Sequence, residues 1–231
     1  GTKADLSRRT IEYSMPIQSF REYLNISQGW NLKVSTLSEI LAGKVDFPYG
    51  EHRPIKYYQE YLRCGCYPYF TEEDYLIKLK QAINATIEDD IPKYAEMTVA
   101  AGAKLKKLML MIARSVPYKP NYTTLARDLD ISRNILPDYI EYLEKSRLFN
   151  ALRNKSLGDG ILQKVEKLYL DNSKIIYAIG LDDSDEGTIR ETMFLTWMKE
   201  SHCVYSSAIS DFEIDNITFE VGGRKKKGKQ I

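Results

Sequence analysis

Cysteine is scarce in this sequence of 231 residues: only Cys64, Cys66 and Cys203 occur. Three cysteines do not make a disulfide framework, so a reducing cytoplasmic location is expected. Cys64 and Cys66 lack a second cysteine pair at the spacing that zinc ligands need, and the two histidines are too scattered to help. The sequence therefore excludes a disulfide-rich secreted domain and disfavours a zinc site.

The chain also lacks long hydrophobic runs and a surplus of either charge. Its longest uninterrupted apolar run covers residues 108–113, which is far too short to cross a bilayer, so no membrane partner is expected. Lysine and arginine total 33 against 32 aspartate and glutamate residues. With this near balance, only a local basic patch can favour nucleic acid.

A phosphate-binding loop is missing too. Residues 223–229 nearly match G-x-x-x-x-G-K-[ST], but Gln230 stands where a hydroxyl must reach magnesium. The loop must also open a helix whose N-terminal amides hold phosphate, and only Ile231 follows. We therefore expect no ATP hydrolysis by this chain alone.

The clearest pattern in the sequence covers residues 104–152. It opens with an apolar helix face at i, i+3, i+4 and i+7, which Pro117 and Pro120 end. A short second helix, a tight turn at residues 130–132, a third helix and strand-like alternation follow. Helix, helix, tight turn, helix and strand is the order of a winged helix-turn-helix, which we predict for residues 101–160.

The third helix of this unit is the one that would enter a DNA major groove. Base-edge contacts are predicted for Arg133 and Asn134 near its start, and a phosphate contact for Lys155. Between residues 132 and 148, however, three basic residues are balanced by three acidic ones. Counterion release rewards surplus positive charge. DNA binding and a packing or protein-contact role therefore both stay open.

Helix signals mark residues 1–100 as a helical layer. Ser19 and Glu22 have the spacing of a capping box, as do Thr36 and Glu39, and Pro54 can open another helix. The layer contains no catalytic trio. A longer helix is predicted over residues 71–90, with Tyr75, Leu76, Leu79, Ile83 and Ile87 inward.

Alternating helix and strand patterns predict a small α/β unit over residues 161–231. Glu191 lies on its helix, Asp211 starts one strand and Glu220 lies on the next. A restriction-type nuclease uses such acids to hold magnesium and a lysine two residues after the second acid to orient water. Here glycine stands where that lysine belongs.

Two interpretations of this acidic pattern stay open. In an active nuclease, Glu191, Asp211 and Glu220 are catalytic, Lys225 stands in for the missing lysine, and Asp211 and Glu220 hold magnesium. In the competing interpretation, a degenerate nuclease fold is kept for binding or scaffolding.

The basic tail directly follows this acidic pattern. Arg224, Lys226 and Lys227 are predicted phosphate contacts, because five positive charges lie within six residues. A solvated tail with no specific role is the alternative.

Two stretches resemble parts of AAA-type ATP-binding proteins. Residues 5–24, DLSRRTIEYSMPIQSFREYL, resemble the junction where the nucleotide core passes into its helical lid. Residues 56–70, KYYQEYLRCGCYPYF, resemble the glycine- and proline-marked turn inside that lid. In that family a winged helix and a restriction-endonuclease-like domain follow, so the resemblance covers nearly the whole chain. It implies an ATPase core before residue 1, with Arg8 or Arg9 near the nucleotide phosphates.

Together these observations predict a mostly helical α+β chain. It would comprise a lid-like helical region at residues 1–100, a winged helix-turn-helix at 101–160 and a nuclease-like α/β unit at 161–231. ATP is expected only with the upstream core, and magnesium only at the nuclease-like site. DNA, a protein or the upstream core are the expected partners.

The leading functional hypothesis is the C-terminal portion of an AAA-type ATP-binding protein. This portion would act as a nucleic-acid-binding or interaction module without ATPase activity of its own. A magnesium-dependent DNA nuclease and a protein-interaction scaffold are the alternatives.

Overall fold

A computed structural model describes residues 11, 13, 15–36, 39, 42–45, 54–155, 165–179 and 185–222. The fold is α+β, as predicted: about half of the described residues are helical, and five strands form one mixed sheet. None of the described helices combines the length and apolar character needed to cross a membrane.

The helices are α1 (Phe20–Ser27), α2 (Pro54–Cys64), α3 (Tyr75–Ala85), α4 (Ile91–Tyr94), α5 (Val99–Ala113), α6 (Tyr122–Leu129), α7 (Leu136–Lys145), α8 (Ser173–Ala178) and α9 (Glu186–Lys199). A π-helical turn covers Thr86–Asp90, and a 3-10 turn covers Arg133–Ile135. The strands are β1 (Phe149–Asn154), β2 (Val165–Leu170), β3 (Tyr205–Ser206), β4 (Phe212–Ile214) and β5 (Ile217–Phe219).

The two predicted capping boxes are present in the N-terminal layer. The Ser19 hydroxyl accepts from the Glu22 amide at 3.3 Å, and the Glu22 carboxylate accepts from the Ser19 amide at 2.8 Å. The same reciprocal pair joins Thr36 and Glu39. Helix α2 begins at Pro54, as predicted, because the first helical position needs no N–H donor. Local sequence signals thus set the starts of α1 and α2.

The helix predicted over residues 71–90 differs in detail. Helix α3 starts at Tyr75, and the π-helical turn carries the helical backbone on into α4. Tyr75, Leu79, Ile83 and Ile87 are buried as predicted. Leu76 is 44% exposed, so its predicted inward position is wrong. The buried residues recur every four positions, and the next residue along an α-helix is turned away from them by about 100°.

Residues 99–170 form three helices followed by a β-hairpin. The predicted inward residues are buried: Leu105, Leu108, Met109, Ile112, Leu125, Ala126, Leu129, Leu136, Ile140 and Leu143. Asp130 adopts the left-handed conformation (φ 51°) in the tight turn after α6. One backbone pairing has no signal in the sequence. Tyr118, between α5 and α6, exchanges two backbone hydrogen bonds of 2.9 and 2.8 Å with Leu168 of β2.

The described strands form one sheet in the order β2-β1-β3-β4-β5. Strand β1 pairs antiparallel with β2 and parallel with β3, while β4 and β5 form a hairpin. The β1–β2 hairpin spans the domain boundary predicted at residue 160. The C-terminal strands therefore extend the same sheet that begins with the hairpin after α7.

A buried polar segment joins β2 to the N-terminal helices. The Ser173 hydroxyl donates to the Leu62 carbonyl at 2.7 Å, and the Lys174 ammonium donates to the same carbonyl. The Asn172 amide donates to the Tyr67 hydroxyl at 2.9 Å. Leu62 lies in the last turn of α2, where backbone carbonyls have no helical partner. The start of α8 therefore supplies the donors that the end of α2 lacks.

Asp171 is the acidic member of this segment and is buried. Its carboxylate accepts from the Asn150 and Asn172 amides at 3.4 and 3.1 Å, and Arg147 lies 3.7 Å away. Burial raises the pKa of Asp171 to about 6, although Arg147 opposes the rise. Because the ordinary pKa is 3.8, the folded state binds this proton more tightly than the unfolded state. The contribution of Asp171 to folding stability therefore falls as pH rises between these two values.

We predict that Asp171→Asn removes this pH dependence. Relative to the variant, wild type should lose about 3 kcal/mol of unfolding free energy between about pH 4 and pH 7, because its buried carboxyl must ionise. Urea unfolding at both pH values measures the difference. Asp138→Asn, at an exposed position of α7, is the control and should parallel wild type. Parallel curves for wild type and Asp171→Asn would contradict the assignment.

Candidate functional site

Two of the three predicted nuclease acids, Glu191 and Asp211, lie near a buried tyrosine. The Tyr169 hydroxyl, on β2, donates to the Glu191 carboxylate on α9 at 3.1 Å. Burial, followed by the negative charges of Glu191 and Asp211, raises the pKa of Tyr169. The fold therefore brings Glu191 into contact with this phenol and places Asp211 close enough for its charge to act on it, although the three residues are far apart in the sequence.

Asp211 also lies beside Glu220 across the β4–β5 hairpin. The Asp211 amide donates to the Phe219 carbonyl at 3.2 Å, and its carboxylate accepts from the Val221 amide at 2.9 Å. These two contacts bracket Glu220, whose side chain is exposed. The strand pairing thus brings together two acids that the sequence separates by nine positions.

The described acids do not form a ready-made metal site. Among the residues that the structure describes, no group of three or more histidine, cysteine, aspartate or glutamate side chains is arranged to hold a metal ion. A Glu191 oxygen accepts from Tyr169, and an Asp211 oxygen accepts from a backbone amide. In this arrangement the acids act as hydrogen-bond acceptors that fasten the sheet to α9 and close the hairpin.

Several predicted site residues lie outside the described residues: Arg8, Arg9, Arg224, Lys225, Lys226 and Lys227. Their predicted roles remain predictions.

The predicted base-reading residues lie in the 3-10 turn that leads into α7. Arg133 and Asn134 are both exposed, and the backbone N–H of Asn134 donates to the Ser132 hydroxyl at 3.4 Å. Within the described part of the chain, Arg133 makes no ion pair. This turn therefore presents one uncompensated cation and one amide side chain to solvent.

Lys155, the predicted phosphate contact after β1, already has partners. Its ammonium donates to the Glu213 carboxylate at 3.1 Å and to the Asn216 side chain. It therefore ties the end of β1 to the β4–β5 hairpin.

Glu144 on α7 neutralises two more cations. Its carboxylate accepts two hydrogen bonds from Arg153, at 2.7 and 3.2 Å, and one from Lys199 at 2.9 Å. Burial alone would raise the pKa of Glu144, but Arg153 and Lys199 hold it below its usual value. Because Arg153 lies on β1 and Lys199 ends α9, Glu144 links α7 to both of these elements.

Most other cations around α5 to α7 are likewise engaged within the chain. These contacts are Lys104 with Asp130, Lys106 with Glu88, Lys107 with the Asp128 carbonyl, Arg127 with Asp128, Lys145 with Glu141 and Arg147 with Glu200. Surface pairs of this kind contribute little stability. They do reduce the positive charge that is available to a phosphate backbone.

Sequence reasoning missed a groove of about 570 Å³ that helices α2, α8 and α9 border. We call it the α2–α8–α9 groove. It contains side chains from three separate stretches, among them Tyr58, Arg63, Tyr177 and Arg190. Periodicity along any one helix gives no sign of such a site, because only the packing of the three helices assembles it.

Comparison with known proteins gives one distant relative. The chain is 24% identical to Uncharacterized protein MJ1637 of Methanocaldococcus jannaschii over an alignment of 257 residues, which covers 98% of this chain and 54% of the relative. The chain thus spans about half the length of this curated relative. No solved structure gives a significant match.

A family model described as Domain of unknown function (DUF8612) matches residues 55–185. The matched range starts in α2, includes α3 to α8 with strands β1 and β2, and ends at the residue that caps α9. It covers more than half of the 231 residues. The chain therefore belongs to the DUF8612 family of domains of unknown function.

Proposed function

We propose that this chain is the part of an AAA-type ATP-binding protein that follows the nucleotide-binding core, and that it acts as an interaction module. The resemblance of residues 5–24 and 56–70 to the lid of that family supports the first half of the proposal. The curated relative has nearly as much sequence again outside the matched part, which leaves room for a nucleotide-binding core.

The order of elements over residues 99–170 is the observation that supports a winged-helix interaction module. Helix α5, helix α6, a tight turn, helix α7 and the β1–β2 hairpin follow each other as in a winged helix-turn-helix. The pairing of Tyr118 with Leu168 adds a short backbone bridge between the helices and the hairpin. This arrangement supports a winged-helix unit whose outer surface contacts a partner.

The charges of that unit favour a protein contact over DNA. Duplex DNA rewards each phosphate that a cation neutralises, because counterions are released. Here Arg153, Lys155 and Lys145 are paired with carboxylates of the same chain. At the start of α7, Arg133 is exposed and makes no ion pair with the residues that the structure describes. We infer that the partner is a protein surface, in the first instance the nucleotide-binding core of the same polypeptide.

The isolated chain should release no phosphate from ATP, whereas the longer natural polypeptide that contains it should hydrolyse ATP. The physical reason is that the catalytic phosphate loop would lie in the preceding core. A malachite-green assay on both proteins measures this. Replacing the phosphate-loop lysine of the longer protein by alanine is the control. A preceding sequence without G-x-x-x-x-G-K-[ST] would contradict the proposal.

The same chain should show no salt-sensitive binding to duplex DNA. Fluorescence anisotropy of a labelled duplex of about 20 base pairs, at about 50 and about 200 mM salt, measures this. We expect no binding at either salt, because all the described cations near α7 except Arg133 are engaged in internal ion pairs. Binding that weakens with salt, and that Arg133→Ala weakens about tenfold, would instead establish DNA recognition by this helix.

A magnesium-dependent DNA nuclease is the second candidate function. The observation in its favour is the meeting of Glu191 and Asp211 at Tyr169, with Asp211 opposite Glu220. The glycine at the usual lysine position stands against it. Lys225 is the residue that we propose would take the place of that lysine.

Under the leading proposal, plasmid DNA incubated with this chain and magnesium or manganese should remain intact. Glu220→Gln and Glu72→Gln are compared with wild type, since Glu72 is an exposed acid far along the chain from the hairpin. Cleavage that Glu220→Gln lowers at least about tenfold, and that Glu72→Gln leaves unchanged, would establish the nuclease. Cleavage that persists in both variants would indicate a contaminating enzyme.

A further inference from the structure

The α2–α8–α9 groove lies where the N-terminal helices meet the C-terminal part of the chain. Helix α2 borders one side, and α8 and α9 border the other. Its volume of about 570 Å³ falls within the range of small-molecule sites, which concentrate where separate parts of a fold meet. The groove has no part in the winged-helix or nuclease proposals.

The walls of the groove combine aromatic and apolar side chains. Tyr58 on α2, Tyr177 on α8 and Ile189 on α9 all line it. The Tyr58 ring is held in place by contacts to Trp197 and Tyr61, with ring centroids 6.3 and 6.4 Å away. A flat apolar ligand could therefore pack against fixed aromatic rings in this groove.

The charged groups of the groove are unequally matched. Lys56 lies 3.7 Å from Glu60, and Arg190 lies 2.8 Å from Glu186. Arg63, in the last turn of α2, makes no ion pair with any residue that the structure describes. The groove lining therefore carries one cation more than its carboxylates balance.

A second cation lies beneath the groove. The Lys174 side chain is 0% exposed, donates to the Leu62 carbonyl and lies 4.9 Å from the centroid of the Tyr177 ring. Leu62 and Tyr177 both line the groove. Burial lowers the pKa of Lys174 to about 8, so the amine is mostly protonated near neutral pH.

The contacts of Lys174 do not neutralise its charge. A backbone carbonyl and a tyrosine ring are neutral groups, and no carboxylate within the described residues forms an ion pair with Lys174. A buried charge without a counter-ion is costly, so an anion placed above it is strongly favoured. Both of its contact residues, Leu62 and Tyr177, border the groove.

We propose that the α2–α8–α9 groove binds a small ligand that carries one anionic group, a carboxylate or a phosphate monoester, on an aromatic ring. Arg63 and Arg190 contact the anion, and Tyr58 and Tyr177 contact the ring. The Lys174 ammonium adds positive potential from beneath. This binding depends on neither DNA nor ATP.

Phenyl phosphate and benzoate are the probes, and benzyl alcohol is the neutral control of similar shape. Each is titrated into isotopically labelled protein, and the amide chemical shifts of α2, α8 and α9 are followed. We expect saturable binding of at least one anion. Benzyl alcohol should bind at least about tenfold more weakly, because it lacks the charged group that accepts a hydrogen bond from arginine. The two anions distinguish a phosphate site from a carboxylate site.

Arg63→Gln should weaken the binding of the anion about tenfold, because it removes a charge-assisted hydrogen bond. Arg63 is exposed, so this variant should keep the fold. Arg127→Gln, an exposed arginine on α6, is the matched control and should bind like wild type.

Lys174→Met tests the buried cation separately. This variant should bind the two anions more weakly than wild type and bind benzyl alcohol equally well. Circular dichroism checks that the variant folds. If Lys174→Met does not fold, the anion affinities of Arg63→Gln and Arg190→Gln test the proposal instead. The proposal is overturned if neither anion binds saturably, if benzyl alcohol binds as tightly as the anions, or if Arg63→Gln binds them like wild type.

Discussion

Strand β1 has hydrogen-bonding partners along both edges, and the rest of the structure depends on this constraint. One edge pairs with β2, which also holds the backbone of Tyr118 between α5 and α6. The other edge pairs with β3, through which β4 and β5 join the sheet. A strand inside a sheet must satisfy its backbone groups on both sides. The helices before β1 and the strands after it are therefore locked into one body.

The second constraint is the polar segment between β2 and α8. Ser173 and Lys174 supply two donors to the Leu62 carbonyl at the end of α2, and Asn172 reaches Tyr67 in the turn beyond it. Buried polar groups are tolerated when they are hydrogen-bonded, and they then fix one arrangement of the elements that they join. This segment places α2 against α8 and α9, which is what creates the groove. The uncompensated Lys174 charge is thus a consequence of the same junction that builds the binding site we propose.

The ion pairs around α7 favour a protein partner over DNA for this surface. The three helices and the β1–β2 hairpin of residues 99–170 are compatible with DNA or with protein partners, so topology alone does not choose between them. In this chain Glu144 engages Arg153 and Lys199, and Glu213 engages Lys155. These ion pairs hold the nearby cations against carboxylates of the same chain, so the cations are less available to a phosphate backbone. The near-neutral charge of the sequence in this region thus has a structural counterpart.

Elements whose cause is local follow from the order of the amino acids alone. Capping residues fixed the start of α1, and the apolar spacing of residues such as Leu105 and Ile112 fixed α5 and its buried face. These signals act within a few residues, so they can be read without knowing the fold. The failure at Leu76 is of the same local kind, since it follows from the helical rotation of one residue.

Contacts between residues far apart in the chain depend on how the helices and the sheet pack together. Tyr118 carries no strand pattern, yet it pairs with Leu168 because the α5–α6 connection passes along the edge of the sheet. Lys174 lies in a short apolar helix, and its burial follows from the packing of α8 against the end of α2. The positions of Asp211 and Glu191 around Tyr169 likewise depend on how the sheet meets α9. Such contacts join residues far apart in sequence, and periodicity along the chain holds no information about them.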